Sequence, residues 1–206
     1  MKYIVIFIDK PYLMQQLFMF LHAIARMSPE LESYLRSILK RVEFRIKDSI
    51  LREGGLFEYV YFIEKGLVRI FHLNEVEVTT WFLIENDIFV SPESFFRNLP
   101  ANENIEALED CICWGISRKE LEEICRLFPE FYRHRTYITE EYYLRDLSRR
   151  KELQLNKAVE RYALLAEGRP DLLYRVPVEL LPSYIGVAKS TFHDARSKYL
   201  ARKKKK

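Results

Sequence analysis

The sequence predicts an α+β protein in which a sandwich or barrel of short strands lies between N-terminal helices and a helical C-terminal part. Three observations support this: apolar residues at helical spacing near both ends, runs of β-branched and aromatic residues in the middle, and turn residues between those runs. The chain has 206 residues, 49% of them hydrophobic, which suits two packed domains joined by an ordered connector.

Two helices are predicted before the first strand. Between residues 12 and 39 apolar residues recur at helical spacing, and Ser28 and Pro29 interrupt them. Ser28 stands where an N-cap belongs, with Pro29 at the first helical position. The apolar run Tyr3–Ile8 ends at Asp9, so it is too short to span a bilayer, and it has no cleavage site of a signal peptide. We therefore expect a cytoplasmic protein.

Short strands are predicted from Val42 to Ile116. The clearest unit is Tyr59–Phe71, which reads as a β-hairpin turning at Gly66, because glycine takes a positive φ without steric cost. Further strands are expected at Val76–Leu83, Ile88–Val90 and Ile105–Ile116, with one helical turn at Ser91–Phe96. Such short, closely spaced strands are typical of a sandwich or barrel.

The strands give way to helices at Ser117, which forms a capping-box pattern with Glu120. Pro129 then starts a long helix that runs to about Arg150. Its aromatic residues on more than one side favour a dimer seam, whereas the alternative is that it packs only across its own barrel; both can hold along different stretches. The candidate dimer residues are Phe131, Tyr137, Ile138, Tyr142, Leu144 and Leu147.

A helix-turn-helix is predicted from near Val178 onward. Gly186 can form the tight turn, and the second helix would present its N-terminal residues to a major groove. The residues expected to pack the unit together are Leu181, Ile185, Val187 and Phe192. Pro182 would cost about 3 kcal/mol in a helix interior. We therefore expect the first helix to start at or just before Leu181, or to be kinked there.

Positive charge is concentrated at the C-terminal end. Residues 151–206 hold 13 Lys and Arg against 6 Asp and Glu, whereas residues 1–150 hold 20 against 24. The C-terminal part is therefore the candidate polyanion-binding region. We expect the run Lys203–Lys206 to be a solvated tail.

The cysteines and histidines argue against metal, redox or enzymatic chemistry. Cys111, Cys113 and Cys125 form no CxxC pair and are expected to be small buried side chains in a reducing compartment. No cysteine precedes Cys111, which argues against an iron–sulfur sensor. The four histidines are scattered, and no GxSxG sequence is present, so we expect neither a metal site nor an enzyme.

The order of these parts and four strings resemble the Crp/Fnr superfamily of bacterial transcription regulators, particularly its compact Bacteroidetes-type members. The strings are YFIEKGLVRI (61–70), FVSPESFF (89–96), NIEALED (104–110) and YIG (184–186). The resemblance implies a cyclic-nucleotide-binding-like antiparallel β-roll or jelly roll, a long dimerisation helix and a winged-type helix-turn-helix. It also implies a homodimer on double-stranded DNA, and it allows RNA polymerase as a further partner.

The resemblance divides the chain into three parts. Residues 1–128 would be the β-roll sensor domain with its N-terminal helices, residues 129–152 the connecting and dimerisation helix, and residues 153–206 the DNA-binding domain with a basic tail.

The nucleotide-binding residues of the family are missing from this chain. Members of the family that bind cAMP carry Gly-Glu and Arg-Ser-Ala around the phosphate. Here the Gly position falls near Phe89, and the Arg and Ser positions near Ala101 and Asn102. A buried phosphate without a guanidinium would cost several kcal/mol. We therefore expect no cofactor and no response to cAMP.

The equivalent pocket is expected either to hold another effector or to be filled by the ring of Phe89 or Phe95. Arg97 could substitute for the missing phosphate partner, although a lone arginine is more often exposed. The candidate pocket residues are Phe89, Val90, Ser91, Glu93, Ser94, Arg97 and Asn104.

The second helix of the helix-turn-helix departs from the family as well. Relatives commonly show Arg-Glu-Thr and an Arg three residues later, where this chain has Lys189, Ser190, Thr191 and Asp194. Asp194 repels phosphates unless it accepts from a cytosine amino group or pairs with Lys198. The candidate DNA-binding residues are Lys189, Ser190, Thr191, His193, Arg196 and Lys198.

The sequence therefore favours a sequence-specific DNA-binding regulator with an unidentified effector. The alternative is a non-enzymatic ligand- or protein-binding dimer whose helix-turn-helix has lost DNA binding; Pro182 and Asp194 motivate it.

Overall fold

The computed structural model describes residues 14–155 and 157–203. The apolar run Tyr3–Ile8 and the last three lysines of the basic tail lie outside the described residues. The chain begins with α1 (Gln15–Ile24) and α2 (Pro29–Ile38). The predicted cap of α2 is confirmed, because the Leu31 N–H donates to Ser28 Oγ at 3.2 Å.

Two antiparallel four-stranded sheets form the β-roll. In the described residues the strands are β1 (Lys40–Phe44), β2 (Ser49–Leu51), β3 (Tyr59–Lys65), β4 (Val68–Leu73), β5 (Glu77–Leu83), β6 (Ile88–Phe89), β7 (Asn104–Ala107) and β8 (Cys111–Ser117), with α3 (Pro92–Arg97) between β6 and β7. One sheet has the order β1-β8-β3-β6 and the other β2-β7-β4-β5. Apolar side chains of both sheets, such as Ile63, Val68 and Ile105, meet between them in one core.

The predicted hairpin at Tyr59–Phe71 is wrong, because β3 and β4 lie in different sheets. Gly66 does take the expected positive φ, of 110°, but the turn carries the chain across the roll. A Cβ at Gly66 would lie 2.8 Å from the Cα of Cys111, so the crossing also requires a close approach of two backbones. Two strands joined by a short glycine turn have the same sequence pattern in a hairpin and in this crossing.

The remaining described elements are helical. They are α4 (Arg118–Leu127), a short 3-10 helix (Pro129–Phe131), α5 (Tyr132–Leu153), α6 (Ala158–Gly168), α7 (Leu172–Arg175), α8 (Leu181–Tyr184) and α9 (Lys189–Lys203). The capping box of α4 is present, with Ser117 and Glu120 bonded reciprocally. The α+β fold class is thus confirmed. The described stretches after Ser117 contain no strand, so the wing of the winged type has no counterpart in them.

The helix-turn-helix consists of α8 and α9. Pro182 lies in the first turn of α8, which begins at Leu181, so the predicted helix start is confirmed. Gly186 makes the turn with a φ of 66°. The predicted packing residue Phe192 is buried on α9 and meets the ring of Tyr162 on α6 at 5.4 Å between centroids.

The helix-turn-helix rests directly on the β-roll. Phe82 on β5 and Tyr184 on α8 have ring centroids 4.9 Å apart. The Thr79 N–H donates to Ser183 Oγ at 3.3 Å. One apolar cluster therefore combines Phe82 of the roll with α6, α8 and α9, and burial of this cluster holds the helical part against the outer face of β5.

Candidate nucleic-acid interface and effector pocket

The predicted DNA-binding residues lie together on the exposed part of α9. Lys189, Ser190, Thr191, His193, Arg196 and Lys198 are all exposed. Phe192 and Ala195 occupy the opposite side of the helix and are 1% and 2% exposed, which fixes the orientation of α9. The exposed residues combine cationic and hydrogen-bonding groups, which is the chemistry that contacts phosphates and base edges.

Asp194 is exposed within the same surface. Of the two arrangements expected for it, the ion pair with Lys198 is absent from the described residues. A carboxylate without this ion pair opposes any phosphate that approaches this part of α9.

The interior of the β-roll is filled by its own aromatic side chains. Phe89 is 0% exposed and its ring stacks on Tyr61 with 5.2 Å between centroids. Phe57 lies on another side of Phe89, at 6.3 Å, and Phe95 is also buried. Of the two alternatives for the pocket, this packing favours the filled interior.

The other predicted pocket residues do not converge on one site. Val90, Ser91, Ser94 and Asn104 are buried, whereas Glu93 and Arg97 are exposed on α3. Two of the buried ones stabilise the loop before β3, since the Phe57 N–H donates to Ser94 Oγ at 2.6 Å and the Glu53 N–H donates to Asn104 Oδ1 at 3.1 Å.

Ala101 stands where the phosphate-binding arginine was expected, and its backbone is hydrogen-bonded to a neighbouring loop. The Ala101 N–H donates to the Gly55 carbonyl at 2.9 Å, and its carbonyl accepts from the Gly54 N–H at 2.7 Å. Ala101 is buried, while Asn102 beside it is exposed. Neither side chain offers a cation to a phosphate.

Glu103 is a residue that the sequence prediction missed. Its side chain is only 9% exposed, and burial raises its pKa, against the lowering effect of the Ser91 hydroxyl and of His72. A glutamate in a polar loop gives no signal of burial in a single sequence. Its carboxylate disfavours an anionic ligand next to Ser91.

The predicted dimer residues on α5 divide into two groups. Phe131 is buried and Ile138 half-buried against the N-terminal helices, so these two pack within their own chain. Tyr137, Tyr142 and Leu144 are exposed, and Leu147 is half-buried. Between α5 and the outer face of the β1-β8-β3-β6 sheet lies an apolar cavity of about 370 Å³.

Arg175 joins α7 to the β-roll through two carboxylates. Its Nη1 and Nη2 donate to Glu85 at 2.7 and 2.9 Å, and its Nε and Nη2 donate to Glu109 at 2.9 and 2.7 Å. Glu85 also accepts from the Gly66 N–H at 2.8 Å. Burial alone would raise the pKa of Glu85, but Arg175 and the Gly66 N–H outweigh it and lower the pKa. We call Arg175, Glu85 and Glu109 the carboxylate clamp.

The cysteines are buried, as expected, and burial raises the pKa of the Cys111 thiol to about 11. Among residues 14–155 and 157–203, no group of three or more His, Cys, Asp and Glu side chains could hold a metal ion. None of the described helices combines the length and the apolar character that crossing a membrane requires.

Comparison with protein families matches residues 41–127 to the family described as "Cyclic nucleotide-binding domain". The match covers the eight described strands, except Lys40 of β1, together with α3 and α4. A curated relative, the voltage-gated inwardly rectifying potassium channel KCNH2 of Sus scrofa, is 32% identical over 88 residues, which are 42% of this chain and 7% of the channel. The chain thus spans a small fraction of the length of that relative.

Solved structures share the fold beyond residues 41–127. FixK2 from Bradyrhizobium japonicum superimposes with a TM-score of 0.66 at 19% identity, over 80% of this chain and 86% of FixK2. The c-di-GMP responsive global regulator CLP from Xanthomonas campestris gives 0.65 at 15% identity, over 85% of this chain and 93% of CLP. These neighbours are regulators of the Crp/Fnr family, so the resemblance seen in the sequence is confirmed for the fold.

Proposed function

We propose that this protein is a sequence-specific DNA-binding transcription regulator of Crp/Fnr type that acts in the cytoplasm. The observation that supports it best is the exposed surface of α9, where Lys189, Thr191 and Arg196 are exposed while Phe192 and Ala195 are buried and anchor the helix. A helix held in this way, after a tight glycine turn, can enter a major groove.

The effector of the cyclic nucleotide-binding domain is proposed not to be cAMP. Phe89 fills the interior, Ala101 replaces the expected cation, and Glu103 adds a buried carboxylate. A cyclic phosphate there would lose its hydration and gain no guanidinium. Thermal unfolding with millimolar cAMP tests this, because a ligand selective for the folded state raises the melting temperature by mass action. We expect no shift; a clear rise would refute the proposal.

We propose further that the protein is a homodimer joined along α5. The exposed aromatic and apolar residues Tyr137, Tyr142, Tyr143 and Leu144 support this. Loss of dimerisation in Leu144→Asp, measured by sedimentation, is the expected result. A two-fold-symmetric DNA site would match such a dimer.

Duplex binding is best tested by a salt titration with fluorescent DNA. Each phosphate contact makes affinity fall with salt, and loss of one contact lowers the slope by about 1. We expect Lys189→Ala and Arg196→Ala to weaken binding, while Lys119→Ala, which removes an exposed lysine from α4, leaves it unchanged. Absence of duplex binding at low salt would refute DNA binding and favour the alternative, a protein-binding dimer.

A further inference from the structure

A second cavity, of about 290 Å³, lies where the β-roll, α5 and the helix-turn-helix meet. Trp81 of β5, Ser148 of α5, Leu165 of α6 and Tyr184 of α8 each line part of it. Four arginines also line it, namely Arg145, Arg149, Arg161 and Arg169, whereas Glu152 is the acidic residue among the described lining residues. The cavity is separate from the interior of the cyclic nucleotide-binding domain, which Phe89 fills.

Arg149 is the most buried of these arginines, at 7% exposure. Its guanidinium lies over the Tyr184 ring with 3.8 Å to the centroid, and its Nη1 donates to Glu152 at 3.0 Å. Its Nε has no hydrogen-bond partner among the described residues. A buried donor without an acceptor costs free energy, so an acceptor group in the cavity would stabilise this side chain.

Arg161 and Arg169 also hold unused donors towards this region. Arg161 Nε and Arg169 Nη2 are buried and have no partner in the described part of the chain. Arg161 Nη1 donates to the Gly186 carbonyl at 3.1 Å, which is a neutral acceptor. The charge of Arg161 is therefore not neutralised by an ion pair in the described residues.

Ion pairs neutralise only part of the positive charge. Arg145 pairs with Asp87 at 2.8 Å, and Arg169 lies 3.6 Å from Asp171. Glu152 pairs with Arg149. The carboxylates of Asp87, Asp171 and Glu152 thus offset three of the four guanidinium charges that line the cavity. A net positive, partly enclosed site with free guanidinium donors suits an oxyanion, because guanidinium groups bind carboxylate and phosphate oxygens through paired N–H donors.

We propose that this cavity binds a small phosphate-class oxyanion, a phosphorylated metabolite of compact size. Ligand cavities start at about 300 Å³, so the volume suits a small molecule rather than a polymer. Arg161 reaches both the Leu153 carbonyl at the end of α5 and the Gly186 carbonyl in the helix-turn-helix turn. A bound oxyanion therefore bridges the long helix and the DNA-binding unit, and, if the proposed DNA binding holds, it controls the position of α9.

Calorimetric titration of the full chain with inorganic pyrophosphate, at constant ionic strength and without DNA, tests the site. We expect saturable binding by the wild type and about tenfold weaker binding by Arg169→Gln, since one charge-assisted hydrogen bond is worth about that factor. Arg149→Lys keeps the charge but loses the free Nε donor, so it is expected to bind about tenfold more weakly as well. Thermal unfolding verifies that each variant is folded.

Two control variants decide whether binding is specific. Arg126→Gln removes an exposed arginine of α4 and is expected to bind like the wild type. Lys189→Ala removes a charge from α9 and is also expected to leave pyrophosphate binding unchanged. No saturable binding by the wild type, or equal weakening in Arg126→Gln and Arg169→Gln, would overturn the proposal, and so would weakening in Lys189→Ala.

The experiment separates this proposal from the proposed function. Failure of pyrophosphate binding with intact duplex binding would overturn the oxyanion site alone. Loss of duplex binding with intact pyrophosphate binding would refute DNA binding and leave the site standing. Where both hold, pyrophosphate at a concentration near its wild-type Kd is expected to change the duplex Kd of the wild type more than that of Arg169→Gln.

Discussion

Replacing Arg175 by glutamine should loosen the attachment of the helix-turn-helix domain to the β-roll. Arg175 is 26% exposed and makes its four hydrogen bonds to Glu85 and Glu109. An exposed ion pair contributes about 0.2–1 kcal/mol, whereas breaking a buried one costs about 3–5 kcal/mol. The half-buried clamp lies between these limits, so we expect Arg175→Gln to cost about 2 kcal/mol.

Thermal unfolding measures this loss directly. For a chain of this size 1 kcal/mol corresponds to about 2–4 °C, so the melting temperature should fall by about 4–8 °C. Arg126→Gln breaks the exposed pair with Glu123 and serves as the control, with a change below about 0.5 kcal/mol. If Arg175→Gln changed the stability no more than the control, the clamp would not hold the two parts together.

The pH dependence of the same pair of proteins gives a second check. The folded-state pKa of Glu85 is lowered, so the stability that it contributes is present above its unfolded pKa of about 4.3 and is lost as the pH falls through the folded pKa. The difference between wild type and Arg175→Gln should therefore be largest near neutral pH and shrink below about pH 4. A difference that grows towards acid would contradict this assignment.

Four further changes test other features. Glu103→Gln should stabilise the protein by about 1 kcal/mol at pH 7, because the wild type buries a carboxylate. Since the pKa of Glu103 is raised, the wild type gains stability as the pH falls through that pKa. Urea titrations should therefore show that the stability advantage of Glu103→Gln over the wild type shrinks towards acid. Phe89→Ala should cost about 3–5 kcal/mol in the same assay, because it empties the roll interior; a loss below about 1 kcal/mol would mean that the interior is not packed. Asp194→Asn should tighten duplex binding several-fold in a fluorescence titration, whereas weaker binding would show that the carboxylate contacts a base. Pro182→Ala should change the unfolding free energy by at most about 1 kcal/mol, since proline fits the first turn of α8; a gain near 3 kcal/mol would place it in a strained position.

Local signals explain why most elements could be predicted from the sequence. Ser28 with Pro29, and Ser117 with Glu120, mark helix starts through hydrogen bonds that span only three residues. Gly186 marks the turn of the helix-turn-helix for a similar reason, because its positive φ depends on one residue alone.

Features that depend on distant residues could not be predicted. Whether β3 and β4 pair or separate is decided by β8 and β7, which lie far along the chain. The carboxylate clamp joins Arg175 to two residues that precede it by 66 and 90 positions in the sequence. The four arginines of the second cavity come from α5, from α6 and from the residue that follows α6. In the candidate DNA site the exposed residues of α9 followed from periodicity, whereas the burial of Glu103 and the filling of the roll depend on packing that a single sequence does not show.

The helix-turn-helix domain is attached to the β-roll at two separate points. The carboxylate clamp fastens α7 to the crossing between the sheets through Glu85, which is itself bonded to Gly66, and Tyr184 fastens α8 to Phe82 on β5. With one attachment the domain could still rotate relative to the β-roll, whereas the second attachment restricts this rotation. The orientation of α9 is therefore set by both attachments: opening the clamp alone would leave the domain attached to β5 through the apolar cluster and the Thr79–Ser183 hydrogen bond, but without its contact to the crossing between the sheets.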